Sequence, residues 1–286
     1  MVRLYKKPKH RPTTLQTYRC LMDKHILPYF GAMTFDQITT NEVQRFLNQK
    51  GKMAESSVKQ MKILLHEICK AAMEDGYMLK DPTASSRLTL LTRKKIREAL
   101  STEQFVGIVS SLSKLNRQDA QLVSLLCHTG MRRGEVLGLR WEDISDGMIC
   151  VQRSITFKSN QPIVGPPKSH AGNRWIPIAD ALKPYLADGG MGYIIGGGEQ
   201  PITESKFDRT WQRISKTIDL YGATPHVLRH TYLTLLGATD TNVKTIQAIA
   251  GHADIQTTMN RYVHSRHEDI RAAGEAFSRM TSGLTS

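Results

Sequence analysis

The last quarter of the chain carries the residues whose types and spacing could do chemistry on a phosphodiester. His226 and Arg229 lie one helical turn apart in HVLRHTY, and His252 and Tyr262 follow in GHADIQTTMNRYVH. An arginine neutralises phosphate oxygens and a histidine moves a proton, while a tyrosine hydroxyl attacks phosphorus once a base or nearby cations activate it. Together these side chains could cut a phosphodiester without a metal ion.

Three further charged side chains, upstream of these, could complete such a site. Arg132 follows the Thr-Gly-Met at the end of an apolar helix, and the start of the next helix offers backbone N–H groups and a dipole that favour an anion. Glu135 could orient its guanidinium, and Lys168, in PPKSHAGNRW between two predicted strands, could protonate a leaving oxygen. Each residue alone has a plainer interpretation: a surface ion pair for Arg132, an exposed hairpin lysine, and a packing role for Tyr262.

A zinc site is the alternative interpretation of the histidines. His226 and His230 have the i, i+4 spacing of a zinc pair. No glutamate lies between them as in H-E-x-x-H, and Arg229 would repel a cation. We therefore rank anion binding above zinc, predict no metal and no cofactor, and interpret His230 as a buried, hydrogen-bonded histidine.

Composition is typical of an ordinary globular protein. The 286 residues are enough for two domains, and 40% apolar with 23% charged residues indicates neither disorder nor a membrane protein. No apolar run approaches the roughly 18 residues that a bilayer requires, and the basic start MVRLYKKPKHRP precedes no signal-like segment. Four scattered cysteines without a C-x-x-C pair indicate reduced thiols, so we predict a cytoplasmic protein.

Positive charge is concentrated near the N-terminus. The net charge is +13, and residues 1–98 hold 19 Lys and Arg against 9 Asp and Glu. Such an excess is typical of a module that binds a polyanion such as DNA, although a solvated basic surface is an equal alternative. The candidate DNA-binding residues lie on a predicted helix face and in a basic linker: Lys59, Lys62, Arg93, Lys94 and Lys95.

Patterning predicts a mainly α, two-domain protein. Residues 1–85 have the periodicity of a small helical domain, 86–98 have the composition of a linker, and 99–286 combine helices with short β-branched segments. The second domain is therefore predicted to be α+β, with helices around a small antiparallel sheet.

Local signals predict where several elements begin and end. The first helix should stop at Pro28 and Gly31, and Thr39-x-x-Glu42 and Ser101-x-x-Gln104 are patterns of helix starts. MICVQRSITF and NRWIPI are predicted strands, joined by a segment rich in Gly, Pro and Ser.

Four sequence boxes occur in a characteristic order. TGMRRGEVLGLRWED, the turn with Lys168, HVLRHTY and GHADIQTTMNRYVH resemble the tyrosine recombinases of the phage-integrase type. Residues 12–80 are also similar to the helical, SAM-like core-binding domain of that family. Many members have a further N-terminal arm-binding domain, which we expect this chain to lack because few residues precede Thr13.

The resemblance implies a role for each candidate residue. Tyr262 would be the nucleophile, and Glu135 would support the first arginine. The segment after Tyr262 is amphipathic, so it could form a helix that docks on a neighbouring subunit, with packing on its own domain as an equal alternative. The phosphate-activating set would be Arg132, Lys168, His226, Arg229 and His252.

The same resemblance implies a function and partners. A double-stranded DNA site would be cut and rejoined through a 3′-phosphotyrosyl intermediate, without metal or ATP, by a homotetramer on two DNA sites. The task would be integration or excision of a phage or mobile element in a bacterial or phage-infected cell, with accessory DNA-bending or directionality proteins as candidate partners. Two alternatives stay open: a type IB topoisomerase-like enzyme that relaxes DNA, and a non-catalytic DNA-binding regulator.

Overall fold

The computed structural model describes residues 12–91, 98–167, 170–239 and 241–253. Contacts divide the chain into two compact units, Met1–Ile96 and Arg97–Ser286. The predicted domain boundaries stay predictions, and Arg93, Lys94, Lys95 and the expected C-terminal docking helix lie outside the described residues. Within the described part of the chain, no helix is long and apolar enough to span a membrane.

The N-terminal unit is a small bundle of helices around an aromatic and aliphatic core. Phe30, Phe46 and Leu65 are among its buried side chains, and the rings of Phe30 and Phe46 lie 5.0 Å apart. Its helices are α1 (Pro12–Leu21), a π-helical turn (Met22–Ile26), α2 (Leu27–Phe30), α3 (Thr40–Gln49) and α4 (Glu55–Glu74).

The first helix does not stop at Pro28, so that part of the prediction is wrong. The chain passes from α1 through the π-helical turn, in which the Leu27 amide bonds to the carbonyl of Met22, five residues back. Pro28 then lies in the first turn of α2, directly after the π-helical turn. The helical run ends at Phe30, just before Gly31, as predicted.

The two predicted helix starts are both capped, but not equally. Ser101 and Gln104 form a complete capping box. The Thr39 hydroxyl accepts from the Glu42 amide at 3.3 Å, yet the Thr39 amide donates to the Gln37 carbonyl instead of to Glu42. The Glu42 carboxylate contacts Tyr29 and Arg45, so tertiary partners replace the second half of the box.

The C-terminal unit packs helices against two small antiparallel sheets. Its main helices are α5 (Thr102–Ser110), α6 (Arg117–Thr129), α7 (Arg133–Leu137), α8 (Lys183–Leu186), α9 (Glu204–Thr217), α10 (Pro225–Gly237) and α11 (Val243–Ala250). Its strands are β1 (Ile144–Ser145), β2 (Met148–Val151), β3 (Ser154–Lys158), β4 (Gln161–Gly165) and β5 (Arg174–Pro177). One sheet has the order β1-β2-β5, with Ile149 opposite Ile176, and the other is the β3-β4 hairpin.

The predicted strand MICVQRSITF is two strands that belong to different sheets. It breaks at Gln152 and Arg153, whose side chains both turn to the buried carboxylate of Asp143, at 2.6 and 2.5 Å. The segment predicted only as a connection contains β4. Pro162 disfavours a strand in sequence analysis, but it is tolerated in a two-stranded hairpin, where every strand is an edge.

Helix α6 forms the centre of the C-terminal unit. Its residues from Asp119 to Cys127 are all buried, among them Leu122, Leu125 and Leu126, so it packs on nearly every side. A helix buried in this way is a rigid support, and its C-terminal end leads directly into Arg132.

Candidate active site

Arg132 is positioned by the turn that ends α6. Gly130 has a φ of 61°, and a Cβ atom there would meet the Tyr232 ring at 2.6 Å, so only glycine fits both the backbone and the packing. Arg132 is then the N-cap residue of α7. Its side chain is 30% exposed, and it therefore remains accessible to a ligand.

Glu135 fixes Arg132 through hydrogen bonds to both its side chain and its backbone. Its Oε1 accepts from Arg132 Nη1 at 2.8 Å, and its Oε2 accepts from the Arg132 backbone amide at 2.9 Å. Burial alone would raise the pKa of Glu135, but the hydrogen bond and charge of Arg174 and the charge of Arg132 outweigh it and lower the pKa below its ordinary value. Glu135 is thus a buried carboxylate that stays charged between two guanidinium groups.

Arg229 lies on the second turn of α10 and is buried. Helix α10 begins with Pro225 after the N-cap Thr224, whose hydroxyl accepts from the Val227 amide. Arg229 is 2% exposed; it donates to the carbonyl of Gly130 and, at 2.7 Å, to that of Ala250. The turn before Arg132 and the end of α11 are therefore both tied to this second arginine.

His252 follows the C-terminal end of α11 and contacts Arg229. Its Nε2 lies 3.0 Å from Arg229 Nη2. A guanidinium has only donors, so Nε2 accepts in this contact and the ring proton is on Nδ1. Gln247 fixes the backbone of His252: its side-chain amide donates to the His252 carbonyl at 3.1 Å, and its own carbonyl accepts from the His252 amide at 3.2 Å.

Three consecutive carbonyls at the end of α11 each accept from a different arginine. Ile249 accepts from Arg174 at 2.6 Å, Ala250 from Arg229 at 2.7 Å, and Gly251 from Arg132 at 3.2 Å. The C-terminal end of a helix carries unpaired carbonyls and partial negative charge, which favour cations. One helix end therefore gathers three guanidinium groups and leads into His252.

The remaining histidines of the candidate site lie on α10. His226 is exposed in the first turn, whereas His230 is partly buried and its Nδ1 lies 3.1 Å from the Thr234 hydroxyl. His230 is thus hydrogen-bonded as predicted, though less buried than predicted. Across the described residues, no group of three or more His, Cys, Asp or Glu side chains could hold a metal ion.

Two candidates, Lys168 and Tyr262, lie outside the described residues. The structure brings Arg132, Glu135, Arg229 and His252 into one hydrogen-bonded network. His226 lies three residues before Arg229 on α10. Lys59 and Lys62 lie on α4 in the other unit; Lys59 is exposed and paired with Glu55, and Lys62 is partly buried.

Sequence analysis missed one member of the network, Arg174. It lies at the start of β5, is 8% exposed, and donates to Glu135 Oε2 at 2.8 Å. The available signal was an arginine inside the otherwise apolar strand pattern NRWIPI, where a buried charge needs a partner.

Comparison with known proteins agrees with this fold. Residues 98–269 match the sequence profile of the phage integrase family, and residues 4–51 match the profile of the phage integrase N-terminal SAM-like domain. The chain belongs to the phage integrase family. This membership confirms the resemblance seen in the sequence and the expected combination of a helical SAM-like domain with an α+β domain.

Relatives of this integrase-family chain are integrases and tyrosine recombinases. The ICEBs1 integrase of Bacillus subtilis (strain 168) is 26% identical over 275 residues, which are 89% of this chain and 74% of that protein. A protein named tyrosine recombinase XerC-like, from Caldanaerobacter subterraneus subsp. tengcongensis, is 28% identical and covers 81% of this chain and 68% of its own length.

Solved structures of integrases share the fold. The Tn1549 transposon integrase in complex with circular intermediate DNA superposes with a TM-score of 0.77, at 21% identity and 96% coverage of both chains. A lambda integrase dimer bound to a COC′ core site gives a TM-score of 0.66, at 22% identity and 93% coverage of both.

Proposed function

We propose that this protein is a site-specific DNA recombinase that cuts and rejoins DNA through a 3′-phosphotyrosyl intermediate. The observation that carries the proposal is the end of α11, where Arg132, Arg229 and His252 are held together by named hydrogen bonds. Two guanidinium groups, charged at any working pH, suit the non-bridging oxygens of a phosphodiester in its transition state. Family membership supports the same reaction.

The proposed reaction is an in-line displacement at phosphorus. The Tyr262 hydroxyl gives its proton to a histidine of the site, and its oxygen forms a bond to the scissile phosphate. The bond to the 5′ oxygen breaks, and Lys168 gives that oxygen its proton. Arg132 and Arg229 stabilise the charge that develops on the non-bridging oxygens, and His226 and His252 hydrogen-bond the phosphate and assist proton transfer. The covalent link conserves the bond energy, so religation by the reverse steps needs neither ATP nor a metal ion.

The contact between His252 and Arg229 sharpens the role of His252. Because Nε2 accepts from Arg229, a hydrogen bond from the His252 ring to a phosphate would come from Nδ1–H. His252 would then both orient Arg229 and donate to the DNA. We propose this double role for the histidine.

The partners and the biological setting are part of the proposal. DNA is the substrate, and strand exchange between two sites would use a homotetramer, with accessory DNA-bending or directionality proteins acting in the cytoplasm. A mobile-element task is supported by the names of the compared proteins, an ICEBs1 integrase and a transposon integrase bound to circular intermediate DNA. We infer integration, excision or both.

The deciding experiment is covalent trapping on a nicked suicide duplex made from the DNA junctions at the ends of the element that carries the gene. The wild-type chain should form an adduct that survives denaturation, and Tyr262→Phe should bind the DNA without forming it. Tyr221→Phe is the matched control, because Tyr221 is an exposed tyrosine of the same unit that belongs to none of the four boxes; this variant should form the adduct normally. An adduct on Tyr262→Phe would contradict the nucleophile assignment.

The same substrate separates the alternatives. A non-catalytic regulator would form no adduct with the wild-type chain. A type IB topoisomerase-like enzyme would form one and relax supercoils, but would give no joint product from two duplexes that carry sites. Full cleavage in EDTA is expected, and strict dependence on a divalent cation would favour the zinc alternative.

A further inference from the structure

We propose that Arg174 is a positioning residue for DNA cleavage: it acts through Glu135 and the end of α11 to hold Arg132 in line with His252. The inference rests on the proposed function, because it concerns the rate of that reaction. Arg174 was not among the residues singled out from the sequence, although it lies six residues after Lys168 in the segment PPKSHAGNRW.

The guanidinium of Arg174 joins three separate segments. Its Nη2 donates to Glu135 Oε2 at 2.8 Å, its Nε to the Ile249 carbonyl at 2.6 Å, and its Nη1 to the Gly172 carbonyl at 3.0 Å. These three acceptors belong to α7, to α11 and to the 3-10 helical turn His170–Gly172 that precedes β5. All three guanidinium nitrogens are thus committed to protein acceptors in different directions.

The hydrogen bonds of Arg174 point to an indirect role. Each of its three guanidinium nitrogens already donates to a protein acceptor, and its side chain is 5% exposed, against 30% for Arg132. An arginine engaged in this way acts on the reaction by fixing other groups.

Glu135 transmits the effect of Arg174 to Arg132. The carboxylate uses Oε1 for Arg132 Nη1 and Oε2 for both Arg174 Nη2 and the Arg132 amide. Without Arg174, Oε2 loses its only guanidinium partner among these contacts, and a buried carboxylate that loses a charged partner reorients or takes up a proton. Either change loosens the hydrogen bond that orients the Arg132 guanidinium.

The end of α11 transmits the second part of the effect. Arg174 holds the Ile249 carbonyl, and the next two carbonyls receive Arg229 and Arg132. Gly251 has a φ of 61°, and a Cβ atom there would meet Arg174 Nη1 at 2.9 Å, so the helix end and this guanidinium are in tight contact. Loss of Arg174 would therefore shift the carbonyls that align both other arginines with His252.

The test compares Arg174→Lys and Arg174→Met with wild type on the nicked suicide duplex described above. The matched control is Arg213→Lys, because Arg213 also pairs with a buried carboxylate of this unit, Asp119, through two hydrogen bonds of 2.8 and 2.7 Å. Three quantities are measured for each protein: the single-turnover rate of adduct formation, the Kd for the duplex, and the Tm.

Arg174→Met should slow adduct formation on the order of 100-fold, the loss typical of a small misplacement of reacting groups, with the Kd for DNA nearly unchanged. Arg174→Lys keeps the charge but cannot reach three acceptors, so it should restore part of the rate. Arg213→Lys should lower Tm without slowing adduct formation. If Arg174→Met does not fold, the comparison of Arg174→Lys with Arg213→Lys decides.

A duplex with a neutral methylphosphonate at the scissile position separates positioning from general stability. Arg132 has less charge to stabilise on this substrate, so wild type and Arg174→Lys should form adduct at rates closer to each other than on phosphate DNA. If Arg174 had a merely structural role, the ratio of the wild-type rate to the Arg174→Lys rate would be the same on both substrates, and this result would overturn the proposal. Wild-type rates of adduct formation for both Arg174 variants would also overturn it. A wild-type chain without any adduct would instead overturn the proposed function, and this inference with it.

Discussion

The motif Arg-x-x-acid occurs twice within twelve residues of the C-terminal unit, and its two copies serve different ends. Glu135 accepts the Arg132 amide at 2.9 Å, and Asp143 accepts the Arg140 amide at 2.8 Å. Both carboxylates are 1% exposed, and each also pairs with a second arginine, at position 174 or 153. At the level of local structure the two sites are nearly the same helix cap.

The two sites differ in the partners that the side chain of the first arginine contacts. Arg132 turns back to its own carboxylate and reaches the Gly251 carbonyl at the end of α11. Arg140 points outward to the exposed carboxylates of Glu142 and Glu199. A local cap is thus part of the candidate active site in one copy and only part of the fold in the other. The contact that distinguishes them is the hydrogen bond from Arg132 to the carbonyl of Gly251, which lies 119 positions away in the sequence.

The strongest test of this contrast is to replace each first arginine by lysine. Arg132→Lys loses the bidentate fork and should slow adduct formation by about 100-fold or more, as removal of a charged transition-state donor does. Arg140→Lys should cleave at the wild-type rate, because its partners are exposed carboxylates whose ion pairs contribute little. The rates are measured in single turnover on the suicide duplex.

Equal losses in both variants would contradict the contrast, since they would mean that the two caps support cleavage alike. DNA affinity and Tm of both variants provide the control. A fall in Tm that accompanies the slower rate of Arg132→Lys would indicate a folding defect instead.

The second test neutralises the two buried carboxylates. Glu135→Gln should slow adduct formation and also reduce the free energy of unfolding by about 3 kcal/mol, because it leaves the buried guanidinium of Arg174 without its counter-charge. Asp143→Asn should reduce stability by a similar amount but leave the cleavage rate of the folded protein unchanged. Denaturant unfolding and single-turnover cleavage measure the two effects separately.

The stability effect of Glu135 should depend on pH in a defined direction. The folded state lowers the pKa of Glu135 below its ordinary value, so the ionised carboxylate stabilises the fold above the unfolded-state pKa of about 4.3. This contribution is lost as the pH falls through the lower, folded-state pKa. The stability difference between wild type and Glu135→Gln should therefore be constant near neutral pH and shrink in acid; a difference that grows in acid would contradict the ion-pair account.

Sequence analysis predicted much of the fold because the signals for it are local. The helical periodicity of α4 and the Ser101 capping box depend on residues within a few positions of each other. The errors arose where distant partners decide. The Glu42 carboxylate accepts from Tyr29, 13 residues away, and the predicted strand is interrupted at Gln152 and Arg153 because both side chains bind Asp143, 9 and 10 residues away.

In the candidate site, too, local signals were predictable and contacts between residues far apart in the sequence were not. Arg132, Glu135, Arg229 and His252 were identified from residue types and spacing, and the structure brings them into contact, while their roles remain predictions. Arg174 could not be identified in this way, because its three acceptors lie 2, 39 and 75 positions away. No spacing rule connects an arginine on a strand to a helix end that far along the chain.

The third test uses two glycines with similar backbones and different surroundings. Gly251 and Gly147 have φ values of 61° and 71°, so alanine at either position should cost about 1–2 kcal/mol for the left-handed backbone. Only at Gly251 would the new Cβ meet Arg174, and no atom lies within 4 Å of a Cβ at Gly147. Gly251→Ala should therefore also slow cleavage about 10-fold by a small displacement of the arginines, whereas Gly147→Ala should not. Equal cleavage rates would show that the end of α11 tolerates the shift.

The smallest expected effect is on the salt dependence of DNA binding, and it tests whether Lys59 and Lys62 bind DNA without taking part in cleavage. Lys59 and Lys62 lie on α4, and Lys59, whose side chain is exposed, pairs with the partly buried Glu55. If both lysines contact phosphates, the double change to Gln should reduce the slope of log K against log salt by about 2 and weaken binding evenly across DNA sequences. Lys183→Gln, which also removes an exposed lysine paired with an acid, is the control and should leave the slope unchanged. At saturating DNA the cleavage rate of the double variant should match that of wild type, because counterion release affects binding and not the step in which the arginines act. If the slope of log K against log salt does not change, both lysines belong to the solvated surface instead.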